Sequence, residues 1–136
     1  MAGQSNDCNP DRPAIWLCHQ INRNLSQAPA WMTADEGETL ARLEGPRRQE
    51  YLTSRWLIRQ ALARASGEAP ESCYPVPGRP VASASPPGWH LSLSHSQGLT
   101  ACATGRSALG IDLEPSQRRA DWARVTTRWF TAVEQE

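Results

Sequence analysis

The sequence predicts an α+β fold in which an antiparallel sheet is flanked by helices. A helical pattern of apolar residues runs between Pro46 and Gly67, and these residue types are typical of the first position of a helix and of its end. From Trp89 onward the period changes to strict alternation, which is typical of half-buried strands. The chain has 136 residues, which is enough for one hydrophobic core but not for two sizeable ones.

The first part of the chain predicts a tail, a strand and a short helix. Residues 1–13 are polar and contain two prolines, so we expect a flexible tail. The apolar run 14–21 is long enough for a strand. Thr33 and Glu36 have the spacing of a capping box, which predicts the start of a short helix that Gly45 ends.

The helix predicted over residues 46–66 has two distinct faces. Arg48, Arg55 and Arg59 are separated by seven and four residues, so they share one face, which we expect to be cationic. Every basic residue of the chain is Arg, which suits contacts to phosphate and carboxylate groups, although a GC-rich coding bias would give the same composition. Apolar residues recur at helical spacing and predict the core face: Leu52, Trp56, Ile58, Leu62 and Ala65.

The second half of the chain predicts a loop, three strands and a last helix. Residues 67–88 contain nine Gly or Pro residues, which predicts a connecting loop without regular structure. Strands are predicted over 89–96, 99–103 and 108–114, and Asp121 is expected to cap a final helix. Because the chain has only one Phe, we expect large tryptophans to fill the core: Trp56, Trp89, Trp122 and Trp129.

Composition and charge exclude several classes of protein. Fourteen basic and fourteen acidic residues cancel, which argues against a general nucleic-acid binder. No apolar run reaches the ~18 residues of a membrane span, and the first residues do not resemble a signal peptide, so we expect a cytoplasmic protein without a membrane partner. The cysteines have neither CxxC nor metal-ligand spacing, and we expect them to be buried or incidental thiols: Cys8, Cys18, Cys73 and Cys102.

Asp112 and Glu114 form the first candidate site. Residues two apart on a strand point the same way, so both carboxylates would project from one face. Adjacent carboxylates repel each other unless a cation lies between them, and hard oxygen ligands suit Mg²⁺. From the spacing alone, two solvent-exposed acids on an edge strand remain the alternative.

Ser94, His95 and Ser96 form the second candidate site. Neighbouring side chains of a strand point to opposite faces, which disfavours a serine nucleophile with His95 as its base. A hydroxyl and an imidazole at a strand end can instead hold phosphate oxygens, with a purely structural histidine as the alternative.

Arg79 lies in the segment Gly-Arg-Pro, which predicts a rigid and exposed turn that presents one guanidinium. Together with Arg48 and Arg55 it would form a basic wall opposite the carboxylate pair, as a metal-bridged anion site requires. Spacing does not determine whether the three arginines converge.

Five segments, in sequence order, resemble the Sfp-type 4'-phosphopantetheinyl transferases, especially the holo-acyl-carrier-protein synthase branch. They are residues 47–55, 78–80, 89–96, 110–114 and 129–134. The resemblance implies the family fold, in which two similar halves pack around a pseudo-twofold axis. Residues 14–136 would then be the N-terminal half, with the metal-binding motif starting near residue 106 and cut off at residue 136.

The resemblance also implies an activity and a set of site residues. Enzymes of this family transfer the 4'-phosphopantetheine arm of coenzyme A to a serine of an acyl or peptidyl carrier protein and release 3',5'-ADP. Such enzymes serve fatty acid or polyketide biosynthesis. Asp112 and Glu114 would be the catalytic carboxylates that hold Mg²⁺ on the pyrophosphate. Contacts to coenzyme A would come from five residues: Arg48, Arg55, Arg79, Ser94 and His95.

One family motif, W-x-x-K-E, is absent from this sequence. The resemblance therefore implies that the chain alone is inactive or nearly so. If the second half of the family fold is missing, an exposed sheet edge is expected, and with it poor solubility or self-association. A non-catalytic fragment that binds coenzyme A or a carrier protein remains the alternative to an enzyme.

Overall fold

The computed structural model describes residues 11–20, 28–116, 123–124, 127 and 131–133. Two helices and two antiparallel sheets lie within these ranges, which confirms the predicted α+β class. In chain order the elements are β1 (Ala14–His19), α1 (Ala34–Arg42), α2 (Gly45–Ser66), a 3₁₀ turn (Pro70–Ser72), β2 (Tyr74–Pro75), β3 (Ser83–Ser85), β4 (His90–Ser96) and β5 (Leu99–Gly105).

Helix α1 begins with the capping box that its sequence predicts. The backbone N–H of Glu36 donates to Thr33 Oγ1 at 3.3 Å, and the N–H of Thr33 donates to Glu36 Oε2 at 2.9 Å. These bonds satisfy amides that the first turn of a helix otherwise leaves without a partner. The helix ends at Arg42, and Gly45 is the first residue of α2 rather than the end of α1, which corrects that detail of the prediction.

Helix α2 has the predicted bounds to within one residue. Pro46 lies in its first turn, where the absent N–H costs nothing. Gly67 closes it with a φ of 81°, a left-handed conformation that favours glycine, and its N–H donates to the Ala63 carbonyl at 2.9 Å.

The main sheet has the strand order β1-β5-β4, with both pairs antiparallel. Cys102 in the central strand lies opposite Trp16 on one side and Leu93 on the other. Gln97 and Gly98 connect β4 to β5 with φ values of 48° and 75°, as a two-residue hairpin turn requires. The first two strands predicted after the loop are therefore confirmed as a hairpin.

The core forms where α2 crosses one face of this sheet. Ile58 and Leu62 of α2 are fully buried, and Trp89 is buried as predicted, whereas Trp56 packs at the core margin. Burial raises the pKa of the Cys102 thiol to about 12. The expected core residues Trp122 and Trp129 lie outside the described residues.

Residues 67–88 contain more regular structure than the sequence predicts. Besides the 3₁₀ turn, β2 and β3 form a two-stranded ribbon in which Pro75 lies opposite Ser83. The N–H of Val76 donates to the Ala82 carbonyl at 3.0 Å and extends the ribbon. Pro75 lies in β2, the outer strand of the ribbon, where no further N–H is needed, whereas β3 is joined on its other side to the start of β4, since the N–H of Ser83 donates to the Trp89 carbonyl at 2.9 Å. The prediction of a loop without regular structure was wrong for these residues.

The predicted third strand, residues 108–114, is not a strand. The N–H of Ile111 donates to Ser92 Oγ at 3.0 Å, and the N–H of Leu113 donates to Ser94 Oγ at 2.9 Å. Both serine side chains project from the face of β4 opposite α2, because they alternate with core leucines. The segment is therefore attached to a sheet face by side chains and does not extend the backbone ladder.

Two other predictions fall on residues that the structure does not describe. Residues 1–10 of the expected tail lie outside the described ranges, and so does Asp121, the expected cap of the last helix. Within the described part of the chain, neither helix has the length and apolar character needed to cross a membrane.

Candidate functional site

A pocket of about 670 Å³ lies between the first half of α2, strand β4 and the turn that precedes β3. Its size is within the ordinary range of small-molecule sites, about 300 to 1,000 Å³. We call it the basic pocket, because its charged lining contains three arginines against one glutamate, which gives a positive potential that favours anions. The titratable lining residues are Arg47, Glu50, Tyr51, Arg55, Arg79, His90 and His95.

Arg55 is the most buried cation of the basic pocket, with 7% of its surface exposed. Its guanidinium carbon lies 4.3 Å from the centre of the Tyr51 ring, one turn earlier on α2. Its Nη1 donates to Ser54 Oγ at 3.3 Å, and its Nε lies 3.6 Å from Glu36 Oε1. The stacked ring, the hydroxyl and the carboxylate together fix the plane of the guanidinium.

Glu36 and Arg59 form the tightest ion pair in the described residues. Nη1 and Nη2 of Arg59 donate to the two carboxylate oxygens of Glu36 at 3.1 and 2.6 Å. Arg59 also donates through Nε to the Trp31 carbonyl at 3.1 Å and through Nη1 to the Arg55 carbonyl at 3.1 Å. The pair therefore ties α1 to the backbone of α2 beside the basic pocket.

The cluster of Glu36, Arg55 and Arg59 carries one more positive than negative charge, because the ion pairs of both arginines go to the same carboxylate. All three residues are buried. An excess charge away from water is unfavourable unless a counter-ion approaches, and Arg55 is the member of the cluster that lines the basic pocket. An anion in this pocket would offset that charge.

The arginine face predicted for α2 exists, but it packs against α1. Arg48 directs Nη1 to the Leu40 carbonyl near the end of α1, and Arg55 and Arg59 meet Glu36. The predicted face is therefore made of arginines, and all three of them contact α1. Arg48 lines a second depression beside α1 rather than the basic pocket, so its contact to coenzyme A stays a prediction.

Arg79 occupies an exposed turn, as the Gly-Arg-Pro segment predicts. Gly78 has a φ of 81°, and the N–H of Val81 donates to the Arg79 carbonyl at 2.8 Å. The structure brings Arg79 into the lining of the same pocket as Arg55. Two of the three arginines that the sequence nominated therefore converge, although the ligand that they hold stays a prediction.

His95 and Ser94 lie on opposite faces of β4. His95 shares the α2 side of the strand, lines the basic pocket, and places Nδ1 3.9 Å from Glu50 Oε2. Ser94 is on the other side, where its hydroxyl accepts the Leu113 N–H at 2.9 Å and donates to Asp112 Oδ1 at 3.3 Å. The two side chains predicted to make one phosphate contact are thus separated by the sheet. Ser94 instead holds residues 111–114, which we call the carboxylate segment.

Asp112 and Glu114 are both exposed and alternate with the half-buried Ile111 and Leu113. This alternation of exposure is the one expected of a strand, although the segment is not one. Asp112 Oδ1 accepts the N–H of Leu113 at 3.0 Å in addition to the Ser94 hydroxyl, which fixes this carboxylate. Among the described residues there is no group of three or more His, Cys, Asp or Glu side chains that could hold a metal ion. Two carboxylate oxygen donors still suit Mg²⁺, which takes its other ligands from water and phosphate.

Four titratable pocket residues were missed by the reasoning from sequence: Arg47, Glu50, Tyr51 and His90. Glu50 and Tyr51 lie three and four residues after Arg47, so these three side chains share the α2 stripe that faces β4. That helical spacing was available in the sequence. Starting from Arg55, however, the seven-residue interval of a helix face selects Arg48 rather than Arg47, so only the structure identifies Arg47 as a pocket residue.

Comparison with known protein families gives one match. A model described as the 4'-phosphopantetheinyl transferase N-terminal domain matches residues 35–105, which is just over half of the chain. The matched range runs from α1 to the end of β5 and contains every arginine, serine and histidine that the resemblance assigned to coenzyme A. A search of curated proteins gave no match. With this match over the helices and strands that build the basic pocket, the chain belongs to the 4'-phosphopantetheinyl transferase family.

Proposed function

We propose that the protein takes part in the Mg²⁺-dependent transfer of 4'-phosphopantetheine from coenzyme A to a serine of an acyl or peptidyl carrier protein, with release of 3',5'-ADP. The observation that supports this most is the convergence of Arg55, Arg79 and His95 on one pocket inside the matched range. Coenzyme A carries several phosphate groups, and guanidinium and imidazolium groups are their ordinary donors in proteins.

The reaction is a phosphoryl transfer. The serine oxygen of the carrier protein forms a bond to the phosphorus that bears the pantetheine arm, and the bond from that phosphorus to the 3',5'-ADP oxygen breaks. The serine proton passes to a base, and negative charge collects on the departing phosphate. Donors that hold the phosphates in place accelerate such a step by positioning and by electrostatic stabilisation.

In this proposal, Asp112 and Glu114 hold the Mg²⁺. The bound cation would offset the charge of the pyrophosphate and of the leaving group. Ser94 keeps Asp112 in one orientation through its hydroxyl, and the Asp112 N-terminal neighbour Ile111 is attached to β4 through Ser92. These contacts supply the rigid support that a metal-binding carboxylate needs.

The test is calorimetric titration of coenzyme A into the 136-residue chain, with and without Mg²⁺. Arg79→Ala should weaken binding about tenfold or more, because it removes a charge-assisted phosphate contact of ~1.5 kcal/mol. Arg64→Ala is the matched control, since Arg64 is an exposed arginine in the last turn of the same helix that carries Arg55. Asp112→Asn should abolish the Mg²⁺-dependent part of the affinity.

A second assay separates an enzyme from a binding fragment. Carrier protein is incubated with the chain, coenzyme A and Mg²⁺, and mass spectrometry detects the added arm. Binding of coenzyme A without transfer favours the non-catalytic alternative. Equal affinities for wild type and Arg79→Ala would contradict the assignment of the pocket to coenzyme A.

A further inference from the structure

Glu36 is placed to control the basic pocket although it lies on a different helix from the pocket's arginines. It belongs to the first turn of α1, and only 6% of its surface is exposed. Its carboxylate is the group that faces Arg55 Nε, at 3.6 Å. Among the described residues, this Nε makes no hydrogen bond and is fully buried, so the Glu36 charge is its compensation.

The position of the Glu36 carboxylate is determined by several contacts at once. Arg59 donates to both carboxylate oxygens in a bidentate contact, and the Thr33 N–H donates to Oε2. Arg59 is itself held by the Trp31 carbonyl and stacks near the Trp31 ring at 4.9 Å. A carboxylate held in this way keeps one position, so a neighbouring cation that is attracted to it is oriented by it.

Arg55 lies at the boundary of two cavities. One is the basic pocket, and the other, of about 390 Å³, lies between the first turn of α1 and the ribbon near Tyr74. The Tyr51 ring supports one face of the guanidinium but does not fix its rotation in the plane of the ring. Two contacts fix that rotation: the Glu36 carboxylate attracts the Nε edge, and Ser54 Oγ accepts from Nη1 at 3.3 Å.

We propose that Glu36 is a positioning residue that orients the Arg55 guanidinium toward the phosphate groups of an anionic ligand in the basic pocket. The identity of this ligand as coenzyme A rests on the proposed function, whereas the dependence of the anion site on Glu36 rests on the buried contacts alone. Glu36 acts through Arg55 and does not line the basic pocket.

The sign of the effect separates positioning from simple electrostatics. Removing a negative charge beside an anion site should tighten anion binding if the charge only weakens the local potential. If Glu36 positions Arg55, its removal weakens anion binding despite the gain in positive potential. We expect Glu36→Gln to weaken the binding of both coenzyme A and inorganic pyrophosphate about tenfold.

The experiment compares Glu36→Gln with Glu38→Gln by calorimetry, at a temperature where circular dichroism reports both variants as folded. Glu38 is the matched control, because it lies on the same helix and pairs with Arg42 on the exposed surface. Arg55→Lys keeps the charge but lacks the Nε that faces Glu36. The double variant should bind no more weakly than the weaker single variant, because both changes act through one contact.

If Glu36 had only a structural role, the losses of anion affinity caused by Glu36→Gln and Arg55→Lys would add in the double variant, which would overturn the inference. Tighter or unchanged anion binding by Glu36→Gln would overturn it as well. If Glu36→Gln does not fold, Glu36→Asp replaces it, since that variant keeps the charge and withdraws the carboxylate by one methylene. Glu36-dependent binding of pyrophosphate without any binding of coenzyme A would support the inference and contradict the proposed function. Binding of coenzyme A that does not depend on Glu36 would support the proposed function and contradict the inference. If neither coenzyme A nor pyrophosphate binds, both the inference and the proposed function are contradicted.

Discussion

Two serine hydroxyls of β4 decide whether the carboxylate segment stays on the sheet. Ser92 accepts the N–H of Ile111 at 3.0 Å, and Ser94 accepts the N–H of Leu113 at 2.9 Å. The substitutions Ser92→Ala and Ser94→Ala each remove one of these acceptors while keeping the strand backbone. We expect local detachment of the segment that contains Asp112, without global unfolding.

The two substitutions should differ in magnitude. A net hydrogen bond contributes ~1 kcal/mol, so Ser92→Ala should raise the exchange rate of the Ile111 amide about fivefold through more frequent local opening. The Leu113 amide also lies 3.0 Å from Asp112 Oδ1, so it retains an acceptor after Ser94→Ala. Its exchange rate should therefore rise less, about twofold.

Amide hydrogen exchange followed by NMR measures both rates in each variant. Each serine serves as the control for the other, because Ser92→Ala should leave the Leu113 amide closer to its wild-type rate than the Ile111 amide. Chemical denaturation should give free energies of unfolding within about 1 kcal/mol of wild type. Wild-type protection of the Ile111 amide in Ser92→Ala would refute the idea that side-chain hydroxyls hold this segment.

Two further predictions concern the packing of the sheet. A Cβ at Gly105 would lie 2.7 Å from Leu109 Cδ2, the movable end of a half-buried side chain, so Gly105→Ala should lower the free energy of unfolding by no more than about 1 kcal/mol in urea titrations. Gly110→Ala, which meets nothing within 4 Å, is the control and should change it little. The raised pKa of the Cys102 thiol makes the free energy of unfolding depend on pH. Between about pH 9 and pH 12 the unfolded chain releases the thiol proton while the folded chain keeps it, so the free energy of unfolding falls as the pH rises through that range. Between pH 8 and pH 10 the free energy of unfolding should fall by about 1.4 kcal/mol because of this group. Cys102→Ala should remove that part of the pH dependence. If the free energy of unfolding of the variant falls equally steeply with pH, other groups are responsible.

The elements that could be predicted from sequence are those whose signals are local. The capping box of Thr33 and Glu36, and the limits of α2 at Pro46 and Gly67, depend on groups within one helical turn. The two strands of the β4–β5 hairpin were predicted from the alternation of β4 and from the short apolar run that follows it. In these elements the tertiary contacts of the fold are compatible with the local preferences, so the local signals alone were enough to predict them.

The errors arose where a long-range contact decided the outcome. Residues 108–114 alternate in exposure like a strand, but two serine hydroxyls take the place of a neighbouring backbone. The spacing of Arg55 and Arg59 shows that they share a face, but no local pattern shows that Glu36 of another helix meets them there. Sequence spacing defines faces of an element, whereas the partner of each face is a property of the whole fold.

The α1–α2 contact connects stability to the site. Arg55 and Arg59 are less than one-tenth exposed, and burying two guanidinium groups against one carboxylate costs desolvation that a pair of apolar residues would avoid. A fold that needed only a stable helix pair gains nothing from this arrangement. The second arginine becomes useful when it faces a cavity that an anion enters, and Arg55 is the one that lines the basic pocket. The excess charge between α1 and α2 therefore argues independently, apart from any motif, that this pocket binds an anion.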